Sequence, residues 1–154
     1  MRFADKADIP ALRDFMYAWN DGAYIKLADK YLSLFEKQGE VIPQFLIAEL
    51  NGKLVGSGCV TEELFQPNTW GISWVRVEND LQGRGVGGDI VAFALNEIQK
   101  TLPKDGKTTV ILGTYPHKTK LYERFGFQKM AQDHTGGNMM FLIVEREKEL
   151  SYGR

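Results

Sequence analysis

Leu12, Phe15, Met16 and Trp19 recur at the i, i+3, i+4, i+7 spacing of one buried helical stripe. Ahead of them, Asp8 stands where an N-cap is expected, and Pro10 sits just inside the helix start. Asn20-Asp21-Gly22 breaks this pattern. A second one follows at once, through Tyr24, Leu27, Ala28, Tyr31, Leu32 and Phe35, and stops in the polar stretch 37–40 at Gly39. The chain therefore opens with two amphipathic helices, preceded by a short strand over 2–4.

The period then changes from helical to extended. Residues 45–50 and 53–61 flank Asn51-Gly52, the strongest short-range signal for a β-hairpin. A loop over 62–68, with Pro67, leads to an apolar strand at 70–77. Ile90, Val91, Ala94, Leu95 and Ile98 then mark one face of a helix over 89–100. A turn at 103–106 leads to a strand at 108–114. A short helix over 118–125 follows, with Gly126 at its C-terminal side. Short strands at 127–131 and 139–145 close the pattern around a turn at 133–138, and the tail 148–154 is expected to be loosely ordered. The strand–helix–strand unit in the middle predicts a right-handed parallel crossover, and the hairpin is antiparallel, so the sheet is mixed. With no internal repeat, low-complexity segment or linker, residues 1–154 read as a single domain.

Composition narrows the class. The chain has 154 residues, of which 44% are hydrophobic and 25% charged, enough for one ordinary globular core. A net charge of -1 without blocks of like charge argues against a nucleic-acid or membrane-surface partner. No apolar run approaches the roughly 18–20 residues of a membrane span. The charged N-terminus lacks an apolar signal segment, and the single Cys59 fits a reducing compartment. A cytoplasmic location is the expectation.

The segment 82–88, Gln82-Gly83-Arg84-Gly85-Val86-Gly87-Gly88, changes the picture most. A strand runs into a glycine-dense basic turn and out into a helix, which is how a backbone presents free N–H groups and a helix dipole to an anion. Gly83-x-Gly85-x-x-Gly88 also matches the dinucleotide fingerprint. That reading needs an acidic residue at the end of the next strand to hold the ribose. Here the strand ends Leu112-Gly113-Thr114, which disfavours a dinucleotide-dependent oxidoreductase. No Gly-Lys-Ser/Thr follows the glycines, so a P-loop fails as well.

Gln82-x-x-Gly85-x-Gly87 resembles the Gln/Arg-x-x-Gly-x-Gly/Ala loop of the GNAT acetyltransferases. Leu121-Tyr122-Glu123-Arg124-Phe125-Gly126-Phe127 is similar to that family's second hallmark, and 3–12 to its common start. The resemblance runs along nearly the whole chain. It implies an α/β (α+β) fold: a mixed, mostly antiparallel sheet of six to seven strands with a central splayed parallel pair, flanked by about four helices. It implies acetyl-CoA as donor and no metal. The pantetheine arm would pair with backbone at Val75, Arg76 and Val77. The pyrophosphate would sit on the amides of Gly83, Gly85, Val86, Gly87 and Gly88, with Gln82 and Arg84 beside it. Two departures stand out: Tyr115-Pro116 occupies the position of a frequent Asn, and Glu78-Asn79 that of a frequent His-Pro pair.

Acyl transfer to an amine needs a neutral amine, donors for the carbonyl oxygen and a proton for the leaving thiolate. The resemblance implies direct attack in a ternary complex, with Tyr122 as the general acid. Glu78, at the end of the cofactor strand, is a candidate general base, and Glu62 and Glu63 are candidates to line the acceptor cleft. Cys59 reads as a buried small hydrophobe rather than a nucleophile. His117 and His134 have no second ligand at metal spacing. Trp19, Tyr24, Trp70 and Trp74 are aromatic candidates for a pocket floor, with core packing the more ordinary use. The acceptor, a small-molecule or peptide amine, is not legible; its specificity falls in 14–40, 62–69 and 133–138. A homodimer is the base-rate assembly. A catalytically silent acyl-CoA-binding sensor or scaffold is the alternative within the same family.

Overall fold

The computed structural model describes residues 1–18, 22–37, 43–63, 66 and 68–146. Seven strands form one sheet in the order β1-β2-β3-β4-β5-β7-β6. They are β1 (Arg2–Phe3), β2 (Gln44–Leu50), β3 (Lys53–Glu62), β4 (Thr69–Val77), β5 (Lys107–Thr114), β6 (Gln128–Gln132) and β7 (Asn138–Glu145). The helices are α1 (Ile9–Tyr17), α2 (Gly22–Lys37), α3 (Val86–Thr101) and α4 (Thr119–Glu123). Every pairing is antiparallel except β4 with β5. This is the mixed sheet with a central parallel pair that the sequence pattern predicts.

Both faces of the sheet are covered over β2 and β3, and the alternation along β2 shows how. Phe45 and Ile47 pack with Leu12 and Met16 of α1 and Ala28 and Leu32 of α2. Leu46 points the other way, to Val91, Leu95 and Ile98 of α3. A strand buried on both sides loses the polar alternation of a half-exposed one and reads as a continuous apolar run. Cys59 lies fully buried in the α1/α2 layer.

Several boundaries differ from the sequence reading for local reasons. Asp8 makes no side-chain cap to α1. A 3-10 turn, Lys6–Asp8, precedes the helix, and Asp5 caps that turn. Asp8 instead closes the capping box by accepting from the Asp5 N–H and receives both guanidinium nitrogens of Arg2 at 2.8 and 2.9 Å. Helix α3 begins at Val86, ahead of the periodic residues, because the left-handed Gly85 (φ 92°) starts it. The glycines that depress helix propensity on paper therefore lie inside its first turn. Helix α4 is shorter than its apolar pattern, since the turn Pro116–Lys118 takes up part of it and Gly126 (φ 91°) ends the segment. The Asn51-Gly52 hairpin forms as expected, with both residues at positive φ. Trp19, the Asn20-Asp21 break, Gly39 and the tail from 147 lie outside the described residues, as does part of the 62–68 loop.

The sheet is divided where β4 and β5 part. They pair only at Thr69–Thr109, Trp70–Val110 and Gly71–Ile111. Beyond that vertex, residues 72–77 of β4 and 112–114 of β5 have no register with each other. At this splay the sheet opens between neighbouring strands, and the clefts described next lie along it.

Candidate active site

The donor side is built at the C-terminal end of β4. Gly85 is the N-cap of α3 and carries no side chain to cap it, so the first-turn N–H groups face outward without a side-chain acceptor. A residue with a Cβ is strained at φ 92°. The loop opens onto a cleft of about 320 Å³ lined by Gly83, Gly85, Gly87, Gly88, Leu121 and Tyr122 among others. His117, Lys118 and Arg124 stand around the same cleft. Helix dipole, outward-facing amides and the Lys118 and Arg124 side chains give this mouth the character that would suit an anion.

The individual loop side chains behave differently from the loop backbone. Gln82 folds back, donating its amide to the Val77 carbonyl at 3.2 Å and to Asn79 Oδ1 at 3.1 Å. It braces the turn rather than reaching outward. Arg84 is exposed at the rim and is not among the residues lining this cleft. Val86 packs inward against the small cluster around Ile90, leaving its backbone for a ligand.

The splay itself forms a second cleft of about 300 Å³, in which Trp74, Val75 and Tyr122 meet Tyr31, Thr114 and Lys118. Val75, Lys118 and Tyr122 line both clefts, so the two are continuous. Here β4 carries a bulge. Ser57 pairs with Arg76 and Cys59 with Ser73, leaving Trp74 and Val75 opposite Gly58 alone. Trp74 adopts φ 53°, a conformation rare outside glycine and asparagine. Its carbonyl accepts the hydroxyl of the buried Ser57 at 2.9 Å, and its ring meets Tyr31 edge-on at 5.9 Å. A bulge of this kind re-aims the backbone and side chain at the point of use.

Tyr122 is buried on α4, edge-on to Phe127 at 5.9 Å, with the Thr114 hydroxyl close to its phenol. Burial pushes the phenol from 10.0 up to about 12, against the opposite pull of Thr114. The phenol is therefore protonated at neutral pH.

Other candidates are placed elsewhere. The Glu78 carboxylate pairs with Lys53 at 2.9 Å on the outer side of the β2–β3 hairpin and lines none of these clefts. A strand-end carboxylate beside a lysine gains more from that pair than from an open cleft. The Arg76 side chain turns to α1, donating to the Phe15 carbonyl at 2.7 Å and lying 5.0 Å over the Phe15 ring. Of the aromatic candidates, Trp74 lines the cleft and Trp70 packs against the α3 layer. Trp19 and the Tyr24 side chain lie outside the described residues. Burial pushes the Cys59 thiol up to about 12, which removes its nucleophilic form. Glu63, adjacent to the exposed Glu62, does reach a cleft, with Tyr31, Ser73 and Gly71.

Sequence reasoning missed Lys118, Arg124 and Tyr31 as site residues. Lys118 carries no motif, Arg124 stands at an unspecified place inside the 121–127 segment, and only the turn after the splayed strand brings them to the glycine loop. Tyr31 sits in a regular apolar stripe and reads as core.

Comparison with known proteins assigns the family and the fold. Residues 42–129, more than half of the chain, match the family model described as an acetyltransferase (GNAT) domain. No curated protein sequence matches the chain. Among solved structures, it is similar to a putative GNAT-family acetyltransferase from Desulfovibrio desulfuricans. The TM-score is 0.75 at 17% identity, covering 94% of this chain and 97% of that one. It is also similar to an acyl-CoA N-acyltransferase from Pseudomonas aeruginosa, with TM-score 0.69, 16% identity, and coverage of 90% and 91%. A third is yncA, a putative acetyltransferase from Salmonella typhimurium solved with its cofactor acetyl-CoA, with TM-score 0.68, 20% identity, and coverage of 99% and 96%.

Proposed function

Because the chain belongs to the GNAT acetyltransferase family, we propose that it moves an acetyl group from acetyl-CoA to a primary amine by direct attack within a ternary complex. The observation that carries this reading is the continuity of the two clefts. An anion-binding loop at one end and an open splay at the other share Val75 and Tyr122. The donor fits: the uncapped first turn of α3 and the unpaired edge of β4 offer amides to phosphate and to an extended amide-bearing arm. When bound, acetyl-CoA supplies the activated acyl carbon.

The roles of the chain's own groups follow. Backbone N–H groups of Gly83, Gly85, Val86, Gly87 and Gly88 hold the pyrophosphate, with Arg84 at the rim. Backbone at Val75, Arg76 and Val77 guides the pantetheine, while Gln82 braces the turn. The bulge at Trp74–Val75 presents backbone donors where the carbonyl oxygen gains charge. The Tyr122 hydroxyl donates to the sulfur as it leaves. The acceptor enters from the Tyr31 side, as a small molecule or the amine of a peptide.

The direct test incubates the full chain with acetyl-CoA and a broad panel of primary amines and follows free thiol. Amine-dependent thiol release supports the reading. Tight acetyl-CoA binding without release for any amine favours the silent sensor. Protection from thermal unfolding by NAD but not by CoA refutes the assignment of the loop.

A further inference from the structure

Among the described residues, the cleft has cationic side chains and no carboxylate at its donor end and gains carboxylates toward the acceptor side, with Lys118 common to both. His117, Lys118 and Arg124 surround the donor end, as an anionic donor requires. At the acceptor end stand two carboxylates. Bonds from Thr135 and Gly137 lower the pKa of Asp133 from its ordinary value, which favours its ionised form. Glu63 lies at the vertex of the splay.

Glu63 is built into that place. Its N–H donates to the Thr69 carbonyl at 2.8 Å, which fixes its backbone at the mouth of the β3–β4 connection. Its carboxylate lies over Gly71, the last residue of β4 paired with β5. A Cβ added at Gly71 would overlap Glu63 Oε1 and come within 3.4 Å of its Cδ. Glycine is what leaves room for the carboxylate. Among the described residues this carboxylate has no ion-pair or hydrogen-bond partner, and burial raises its pKa. A partly desolvated carboxylate facing an open cleft without a cation calls for one from a ligand.

Distance decides which cation. Two strand residues, Ile72 and Ser73, stand between Gly71 and Trp74, and the three steps from one to the other span about 10 Å at about 3.3 Å each. That is too far for Glu63 to take a proton directly from an amine attacking beside Trp74 and Tyr122. It suits a second nitrogen of the same molecule. We propose that Glu63 binds the distal ammonium of the acceptor, which makes the acceptor a linear aliphatic diamine with roughly 8–10 Å between its nitrogens. This assignment rests on the acetyl-transfer reading above, and Tyr31, shared by the two acceptor-side clefts, lies along the path between the nitrogens.

The test compares hexamethylenediamine with hexylamine, which has the same reach and no distal charge, using acetyl-CoA and the full chain. The diamine should have the lower KM. Glu63→Gln should raise KM for the diamine about 10- to 100-fold and leave kcat, and all constants for hexylamine, unchanged. Gly71→Ala, which displaces the carboxylate without removing it, should show the same selective rise. Unfolding midpoint and acetyl-CoA affinity should match the parent in both variants. Equal KM for the two amines in the parent overturns the proposal. So does a loss of kcat toward both amines in Glu63→Gln. Turnover of other amines with neglect of the diamine sinks the diamine assignment alone. Failure to release thiol with any amine sinks the acetyl-transfer reading instead.

Discussion

Tyr122→Phe removes one oxygen and keeps the ring, so the edge-on packing against Phe127 survives. The size of its effect follows from the environment of the phenol. Burial moves its pKa from 10.0 to about 12, a preference of about 2.7 kcal/mol for the neutral form. A leaving thiolate has a conjugate acid near pKa 8.5, so complete transfer from such a phenol runs uphill by about 5 kcal/mol. The less costly service is a hydrogen bond that strengthens as charge gathers on sulfur, contributing about 1.5–3 kcal/mol. Tyr122→Phe should therefore lower kcat by about 10- to 150-fold, with KM for acetyl-CoA changed less than about threefold. Because the phenol stays protonated below its raised pKa, the loss should be uniform from about pH 6 to pH 10. Steady-state rates of thiol release across that range, with the unfolding midpoint measured alongside, give the answer. An unchanged kcat removes Tyr122 from the chemistry. A deficit that disappears over part of that range means the phenol titrates there, and the burial argument is wrong.

Gly85→Ala forces a Cβ into the left-handed region and should cost about 1–2 kcal/mol of stability while weakening acetyl-CoA binding at least about tenfold. Calorimetric titration that finds parental affinity would show that the loop amides do not hold the donor. Ser57→Ala strips the Trp74 carbonyl of its buried partner and should cost about 1–3 kcal/mol, seen as a lower unfolding midpoint and a lower kcat. Native Cys59 should resist iodoacetamide at pH 8 and react once the chain is unfolded in urea, as followed by mass. Its folded pKa of about 12 lies above the ordinary 9.0. The buried thiol's contribution is therefore full below about pH 9 and lost as pH rises through 12, and Cys59→Ala should flatten that part of the alkaline unfolding curve.

The sequence made some things readable because one residue type has few physical uses in its context. Asn51-Gly52 between two apolar runs admits a tight hairpin and little else, and both residues take the positive φ that such a turn needs. Glycines after a strand and before a helix mean backbone offered to a ligand, and Gly85 caps α3 with nothing but its own amides. What was not readable depends on where a chain end or a splayed strand is carried. An aspartate just ahead of a helix suits an ordinary cap or an ion pair equally well, and only the β1–β2 pairing that carries Arg2 to this place makes Asp8 the partner of Arg2 rather than a cap of α1. Glu78 and Glu63 are both glutamates at strand ends. One meets Lys53 across the hairpin and the other meets a glycine at the vertex of the splay. No local pattern separates them, because the difference lies in which residue stands opposite on the neighbouring strand.

That contrast bears on how β4 divides its work. Its first residues, 69–71, pair on both edges and hold the sheet together, and Gly71 closes that part with a surface open enough for a carboxylate. Its later residues keep β3 on one side and leave the other edge to the cleft. The bulge comes at Trp74, after the parallel pairing has ended and before the strand reaches the glycine loop. A left-handed tryptophan costs on the order of 1–2 kcal/mol, and the Ser57 hydroxyl returns about 1 kcal/mol of it through the carbonyl it holds. Strain at this point is tolerable because β3 is rigid and buried behind it, with Ser57 only 1% exposed. The same bulge on an edge strand would relax by unpairing. On the acetyl-transfer reading the geometry at the bulge is therefore a property of β3 as much as of β4, and Ser57, a residue no motif singles out, is expected among the groups on which turnover depends.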